Sequence, residues 1–412
     1  MRDRIMGIPC SDMDVTTSAL PEEMLEVFKD YRVIPTGIKH GTVTVLMPEP
    51  VEVTTYRVDG SYSDSRHPDS VSFTRSLRED LARRDFTVNA IAYHPELGYI
   101  DPFGGMEDIK RGVIRAVGDP ERRFSEDALR ILRAVRFCSR LDFTMDDATA
   151  RAAESMAWRL DGVSPERKYV ELVKTLMGKG VRRALTGYSQ VISAVIPELK
   201  KCIGFDQKSR HHDFDLYTHI AIAVSQCPRH AELRLAALLH DIAKPDCFYS
   251  DERGGHFPEH AQKSAEMAEG ILRRLRADNS TVKAVVGWIK HHRDIPKSDA
   301  ELKRMLLKLS PEGAERLLEL MMADSAAKKA GAGVSRELLN KRRRMEQIIK
   351  SGECYSLRGL DIDGDILIEA GYCGKEIGRA LQLALDAVIE DKIKNDRREI
   401  EKYLKGMLSN GK

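Results

Sequence analysis

The chain has 412 residues, 42% of them hydrophobic and 32% charged, which suits folded domains and excludes a disordered chain. At about 150 residues per domain, roughly two to four are expected. Lys and Arg total 66 against 64 Asp and Glu, so the net charge of +2 excludes a simple polycation and leaves local basic faces open. An aromatic content of 6% favours a helix-rich chain over a β-sandwich. The 7 Cys are odd in number and scattered, with no C-x-x-C pair, which reads as reduced thiols rather than a disulfide framework or zinc ribbon. No apolar run approaches the ~20 residues of a membrane span, and the N-terminus lacks a signal-peptide succession. The expectation is a soluble cytoplasmic protein.

Up to about residue 120, short β-rich runs alternate with turns: Thr42–Met47, Val51–Val58 and Ala90–Tyr93. Near the start, Ser11-Asp12-Met13-Asp14-Val15-Thr16-Thr17 carries two Asp two residues apart. On an extended strand both face one side. Two close carboxylates repel unless a cation lies between them, and Mg²⁺ is the usual hard-oxygen solution. Glu52 is a candidate third carboxylate on a neighbouring strand. A lone D-x-D is more often a polar loop, so this pair decides nothing by itself.

Arg83-Arg84-Asp85-Phe86-Thr87-Val88-Asn89-Ala90 sets two guanidinium groups beside an Asp and an Asn, chemistry suited to phosphate and ribose. Gly104-Gly105 and Gly118-Asp119-Pro120 punctuate the end of this part. Ser125 then reads as a helix N-cap with Glu126 and Asp127 in the first turn, followed by Leu129, Leu132, Val135 and Phe137 at helical period. That reading puts Asp127 and Arg130 on one helix face. They are either a surface ion pair or a reader of bases: cytosine and adenine both offer an amino donor beside a ring-nitrogen acceptor, which one Asp and one Arg complement.

Helical patterns continue over 147–160, 165–178, 231–243, 261–276, 281–292, 301–308, 311–330, 335–350 and 375–389. The expected fold is a small α/β head followed by a long helical body. Nine of the 12 His lie between 211 and 292. The apolar run Leu233–Leu239 leads into His240-Asp241, which can both ligate one divalent metal. His219 lies upstream on another helix, and Asp324 sits on an apolar helix where an unpaired charge is costly. His211 and His212 read as solvated. Lys341-Arg342-Arg343-Arg344 and the run from Lys392 to Arg398 are charged helix faces, mostly solvated in general and able to follow phosphates in an RNA-binding protein.

Asp12-x-Asp14, the 83–90 run, Asp101-Pro102-Phe103-Gly104-Gly105, Glu126-Asp127-x-x-Arg130 and Glu166-Arg167-x-x-x-Glu171 resemble, in order and spacing, the motifs of the class II nucleotidyltransferases. These are the bacterial CCA-adding tRNA nucleotidyltransferases and their poly(A) polymerase relatives. Leu357-Arg358-Gly359-Leu360-Asp361 to Ile377 is similar to the family's tail. The resemblance implies an α+β, polymerase-β-like nucleotidyltransferase head (1–117), an all-α neck for base recognition and RNA binding (118–200), an HD-type metal-binding body (201–332) and a tRNA-binding helical tail (333–412). It implies a template-independent transfer of C and A from CTP and ATP to a tRNA 3′ end, with pyrophosphate released.

By resemblance, Asp12 and Asp14 bind Mg²⁺ with Glu52 assisting. Arg2, Asp3, Arg83, Arg84, Asp85, Asn89, Arg133 and Arg136 handle the nucleotide, Asp127 and Arg130 read the base, and Glu166 and Arg167 fix the helices behind them. The family opens its first motif with Gly-Gly-x-V-R-D, whereas this chain opens at Met1-Arg2-Asp3, so a shortened N-terminus is expected. The order His219, His240-Asp241, Asp324 resembles the HD phosphohydrolases, with His256 or His260 and His291 or His292 as the extra ligands of two-metal members. The implied metal there is divalent and of unknown identity. The alternatives are a poly(A) polymerase or a partial CC- or A-adding enzyme, and, in another class, an HD phosphohydrolase with an inactive head. A non-catalytic RNA-binding protein is a third. Oligomeric state stays open, and no membrane partner is expected.

Overall fold

The computed structural model describes residues 1–9, 14–60, 71–209, 213–252, 254–331 and 333–409. Asp12, His211 and His212 lie outside the described residues. Packing divides the chain into two units, residues 1–204 with 271–278 and residues 205–270 with 279–412.

The first unit opens with α1 (Arg2–Ile5) and a four-stranded sheet of β1 (Asp14–Thr17), β2 (Arg32–Gly37), β3 (Thr42–Leu46) and β4 (Pro50–Thr55). The strand order is β1-β4-β3-β2; β1 and β4 run parallel, and the other neighbours antiparallel. Strand alternation sorts the side chains. Val43, Val45 and Val53 go to one face and form a core with Met24 of α2 (Pro21–Val27). Thr42, Thr44, Glu52 and Thr54 take the opposite face, and Asp14 of β1 pairs in register with Glu52 of β4. The sheet therefore has one apolar side and one polar side that can do chemistry.

After the sheet come α3 (Leu77–Ala82) and α4 (Gly105–Arg111). The D-P-F-G-G motif has a local explanation. Both Asp101 carboxylate oxygens accept from the first turn of α4, at Gly105 N (2.8 Å) and Met106 N (2.7 Å). A Cβ on Gly105 would sit 2.1 Å from the Thr87 carbonyl oxygen, so only glycine lets the helix press against the 83–90 segment.

The neck differs from the expectation at one point. Ser125 is not an N-cap: α5 (Pro120–Glu126) begins at Pro120, capped by the Asp119 side chain on Arg122 N. The chain is then extended at Asp127, and α6 (Leu129–Leu141) starts beyond it. Gly118-Asp119-Pro120 is thus a helix start as well as a turn. Asp127 stands at the break, off the helix face that carries Arg130, and its Oδ1 accepts from Leu129 N at 3.0 Å. The unit closes with α7 (Asp147–Ser155), α8 (Pro165–Leu176), α9 (Val181–Gly187) and α10 (Ser189–Val195).

From residue 205 on, the described elements are helical apart from one hairpin, Tyr249–Asp251 with Gly254–His256. The helices are α11 (Leu216–Gln226), α12 (Ala231–Leu239), α13 (His260–Arg274), α14 (Asn279–His291), α15 (Asp299–Ala327), α16 (Arg336–Ser351), α17 (Gly364–Glu369), α18 (Lys375–Ile389) and α19 (Arg397–Ser409). The break expected between 308 and 311 is a kink inside α15 at Ser310 (φ 66°), forced by Pro311, which lacks the N–H and disfavours a helical predecessor. The tail has its own core, with Leu367, Ala384, Leu385, Ile389, Ile400 and Leu404. An α+β head followed by helices is thus the observed architecture. Among the described residues, no helix is long and apolar enough to cross a membrane.

Candidate functional site

In the first unit a cavity of about 560 Å³ is lined by Arg2, Asp3, Asp14, Arg83, Arg84, Asp85, Asn89, Asp127, Arg130, Arg133 and Arg167, residues singled out from sequence, together with Phe137 and Arg140. Helix α6 supplies one wall. Arg130, Arg133, Phe137 and Arg140 recur at steps of three and four residues, a single helical stripe. Arg136 falls off that stripe and pairs with Glu171 of α8 at 3.0 Å.

The guanidinium groups are held by buried acids. Asp80 of α3 is fully buried and binds Arg83 (2.9 Å) and Arg84 (3.5 Å) one turn later on. Asp85 accepts from Arg133 through both Nε (2.8 Å) and Nη2 (2.5 Å), from Asn89 Nδ2 (2.9 Å) and from its neighbour Phe86 N (2.9 Å). Burial alone would raise the Asp85 carboxyl; the Arg133 charge and these hydrogen bonds outweigh it and hold it below the ordinary carboxylate value. The network continues. Asn89 Oδ1 accepts from Arg2 (2.7 Å), Arg2 pairs with Asp3 (2.7 Å), and Asp3 pairs with Arg140 (3.0 Å). It leaves α6 at Arg133 and returns to it at Arg140. The Phe137 ring lies beneath the Arg2, Arg133 and Arg136 guanidinium groups, 4.4–5.6 Å from ring centre.

Asp127 and Arg130 are held separately. Arg130 Nη1 donates to Glu126 (2.7 Å) and to the Arg123 carbonyl (3.1 Å), and Nη2 donates to the Arg83 carbonyl (3.2 Å). That commits three of the five guanidinium N–H groups and leaves, among the described residues, Nε–H and one Nη2–H as a donor edge. Asp127 is fixed by Arg167 of α8 at 3.2 Å. On the sheet, Asp14 and Glu52 are exposed register partners, and neither has a cationic partner among the described residues. Such a carboxylate pair fits a divalent cation.

Sequence reasoning missed Asp80, Phe137 and Arg140. Each had a signal: Asp80 stands three and four residues before Arg83 and Arg84, and the other two continue the spacing of Arg130 and Arg133.

The second unit holds a separate cluster. His219 (α11), His240-Asp241 (end of α12) and Asp324 (α15) form one group of converging donor atoms, and Asp241, His260 and His292 form another. Each group lies within 4.8 Å, and all six residues are buried. Asp241 belongs to both. Its Oδ2 faces His240 Nε2 (3.1 Å) and His219 Nε2 (3.4 Å), while its Oδ1 faces His260 Nε2 (3.3 Å) and His292 Nε2 (3.7 Å). Asp324 Oδ1 completes the first group, 3.2 Å from His219.

Every one of these rings turns Nδ1 to a backbone carbonyl: Ala327 (3.2 Å), Ala237 (2.8 Å), Phe257 (2.7 Å) and Ile289 (2.7 Å) for His219, His240, His260 and His292. A carbonyl only accepts, so Nδ1 carries a proton and each ring turns Nε2 to the cluster, where it offers a lone pair once the ring is neutral. His240 Nε2, His260 Nε2 and both Asp241 oxygens are buried without a well-aligned hydrogen bond, although Lys244 Nζ approaches Asp241 to 2.6 Å. The field favours a cation here. Burial presses the His240 imidazolium down, yet Asp241 and Asp324 lift it to about 9. Orphaned donors of mixed nitrogen and oxygen type fit a divalent metal.

Of the paired alternatives, His260 and His292 join the cluster. His256 instead pairs with Asp251 (2.9 Å), and His291 with Asp294 (2.7 Å). In the basic run, Lys341, Arg342 and Arg344 bind the Lys297 carbonyl, Glu315, and Asp299 with Glu353.

An arginine-lined cavity beside a mixed sheet with a carboxylate pair, followed by an HD cluster, defines a nucleotidyltransferase head joined to an HD domain. Comparison with known proteins agrees. Residues 1–115 match the Poly A polymerase head domain, 142–202 the probable RNA and SrmB-binding site of polymerase A, and 218–327 the HD domain. The CCA-adding enzyme of Geobacillus stearothermophilus is 35% identical over 410 residues, 98% of this chain and 90% of its own. Among solved structures, the Bacillus stearothermophilus CCA-adding enzyme in complex with CTP aligns at TM-score 0.70 and 30% identity, covering 99% of this chain and 91% of that one. The Thermotoga maritima CCA-adding enzyme complexed with tRNA, at TM-score 0.62 and 22% identity over 99% of this chain and 89% of its own, shares the fold. The chain belongs to the CCA-adding enzyme family and is a nucleotidyltransferase.

Proposed function

We propose that this protein adds C and A from CTP and ATP to the 3′ end of tRNA without a template. The observation that carries the reading is the convergence of Asp14, Arg83, Arg84, Asp85, Asn89, Asp127 and Arg130 on one cavity. The reaction is in-line attack of the 3′ hydroxyl on the α-phosphorus, with pyrophosphate leaving. Asp12 and Asp14, assisted by Glu52, would hold Mg²⁺, whose charge would offset that of the triphosphate. The protein's own part is positioning and charge neutralisation. Arg83, Arg84 and Arg133, each oriented by a buried acid, would neutralise the phosphates. The Asp85-Asn89 pair offers an amide for the ribose.

At the base, the free edge of Arg130 donates to the ring-nitrogen acceptor and Asp127 accepts from the exocyclic amine. Cytosine and adenine present that pattern; the keto bases reverse it. Asp127 and Arg130 accommodate both bases, so the discrimination is against U and G. The test uses purified protein, Mg²⁺ and a tRNA ending at its discriminator base, each NTP offered singly and together, with the added sequence read directly. Addition of C, C and A that is lost in Asp14→Ala is expected. A long A tail would reassign the enzyme as a poly(A) polymerase, and no addition would refute the reading.

The buried cluster of the second unit supports a second activity, hydrolysis of terminal or cyclic phosphates of RNA. His219, His240, Asp241 and Asp324 would hold one divalent metal and His260 and His292, with Asp241, a second. Such metals would supply a bound hydroxide and polarise a phosphoryl oxygen. Phosphate release from 2′,3′-cyclic or 3′-phosphorylated RNA ends, absent in Asp241→Ala, is the corresponding assay. With both RNA and nucleotide as substrates, a cytoplasmic setting is the consistent one.

A further inference from the structure

One aromatic ring outside both clusters is placed in a way that packing does not explain. Trp158 is 66% exposed, whereas the chain's other tryptophan, Trp288, is 7% exposed and donates Nε1–H to the Gly313 carbonyl. Trp158 lies on the short 3-10 helix Ala157–Gly162, whose Ala157 and Leu160 are buried. The buried pair pins the segment, and the indole is turned out to water. A large apolar ring held rigidly in solvent forgoes its burial free energy, which points to a contact made with something else.

The neighbours indicate what that is. The Arg159 guanidinium lies 5.5 Å from the Trp158 ring centre, and Arg159 Nη2 donates to the Ser125 carbonyl at 3.3 Å. Arg159 Nε is buried with no hydrogen-bond partner among the described residues. Two residues beyond Ser125 stands Asp127, bound by Arg167 of α8, the helix that follows the Trp158 segment. The Arg122 side chain, 76% exposed, lies one turn before Ser125 on α5 and pairs with Glu126 at 3.4 Å. An exposed indole with a guanidinium group against it, on a segment tied to the chain two residues before Asp127, has the composition of a platform for one stacked nucleobase over a negatively charged backbone.

We propose that Trp158 stacks an unpaired base of the RNA 3′ end and so seats the end of the acceptor strand next to Asp127 and Arg130. Bases inside a duplex are stacked on both faces, whereas an unpaired base beyond its end has a free π-face, so the contact is to the overhang. This inference rests on the reading of the first cavity as the nucleotide-adding site.

Stacking of one base on an aromatic ring is commonly worth about one to two decades of affinity. Trp158→Ala is therefore expected to raise the KM for tRNA about tenfold while the KM for CTP stays within twofold. Trp158→Phe is expected to recover most of the loss. The ring is exposed, so neither variant disturbs a core. A structural role would leave a second readout unmoved: titration with tRNA should quench tryptophan fluorescence in the wild type and not in Trp158→Phe, where Trp288 alone emits. Nucleotide addition by the wild type together with an unchanged tRNA KM in Trp158→Ala, or with no tRNA-dependent quenching, overturns the Trp158 contact alone. A wild type that neither binds tRNA nor extends it overturns the reading of the cavity as well.

Discussion

Asp85 anchors the arginine-lined cavity, so a single substitution there tests the proposed nucleotide site. It is 8% exposed and accepts hydrogen bonds from Arg133, Asn89 and the Phe86 amide. Asp85→Asn keeps the shape, removes the charge, and replaces one accepting oxygen by a donor that faces donors. Removing one member of a buried ion pair costs ~3–5 kcal/mol, because the other charge stays behind without compensation. Here the Arg133 side chain is 33% exposed, so water recovers part of that. A net loss of about 2 kcal/mol at neutral pH follows.

The pH dependence has a definite sign. The folded carboxyl lies below its unfolded value of about 4, so its contribution is complete above that value and is lost as pH falls through the folded one. The gap between wild type and variant in urea unfolding should therefore be constant above about pH 5 and narrow under acid. Function should suffer too, because Asn89 and, through it, Arg2 lose their anchor: a rise of about tenfold in the KM for CTP is expected. A difference under ~0.5 kcal/mol at pH 7, or a gap that widens as pH falls, would refute the argument.

Three further outcomes follow from the same geometry. Glu126→Ala removes the carboxylate shared by Arg123 and Arg130, so Arg130 loses its fixed donor edge; single-turnover reactions with each NTP should show UTP incorporation rising relative to CTP, and unchanged selectivity would contradict the base-reading role. His240→Ala and His260→Ala should each lower the divalent metal retained after dialysis, measured by mass spectrometry, whereas His256→Ala and His291→Ala should not, since those rings lie outside the cluster. Gly105→Ala forces a Cβ against the Thr87 carbonyl and should destabilise the head by ~3 kcal/mol or more, read as a lower unfolding midpoint; a midpoint within error of wild type would show that α4 shifts at little cost.

Much of the lining of the cavity and of the buried cluster was legible from local spacing. Asp14 on a strand, the 83–90 run, Asp127 with Arg130, and His240-Asp241 are short-range patterns, and their residue types restrict what they can bind. Helical periodicity marked most of the body, down to the interruption at Ser310-Pro311. Period and composition see only neighbours along the chain, and that is where the reading stopped. The helix start at Pro120 was hidden because Gly-Asp-Pro signals a turn and a cap equally well, and the break at Asp127 followed from it.

Which histidines join Asp241 was decided by α13 and α14 meeting α12, contacts that no spacing encodes. His260 and His292 entered while their near neighbours His256 and His291 found surface acids. The loop from Arg133 through Asp85, Asn89, Arg2 and Asp3 back to Arg140 bonds residues up to 137 positions apart and exists only in the folded chain. Residue type sets what a side chain can bind, but burial and partner geometry set what it does bind, and both are properties of packing.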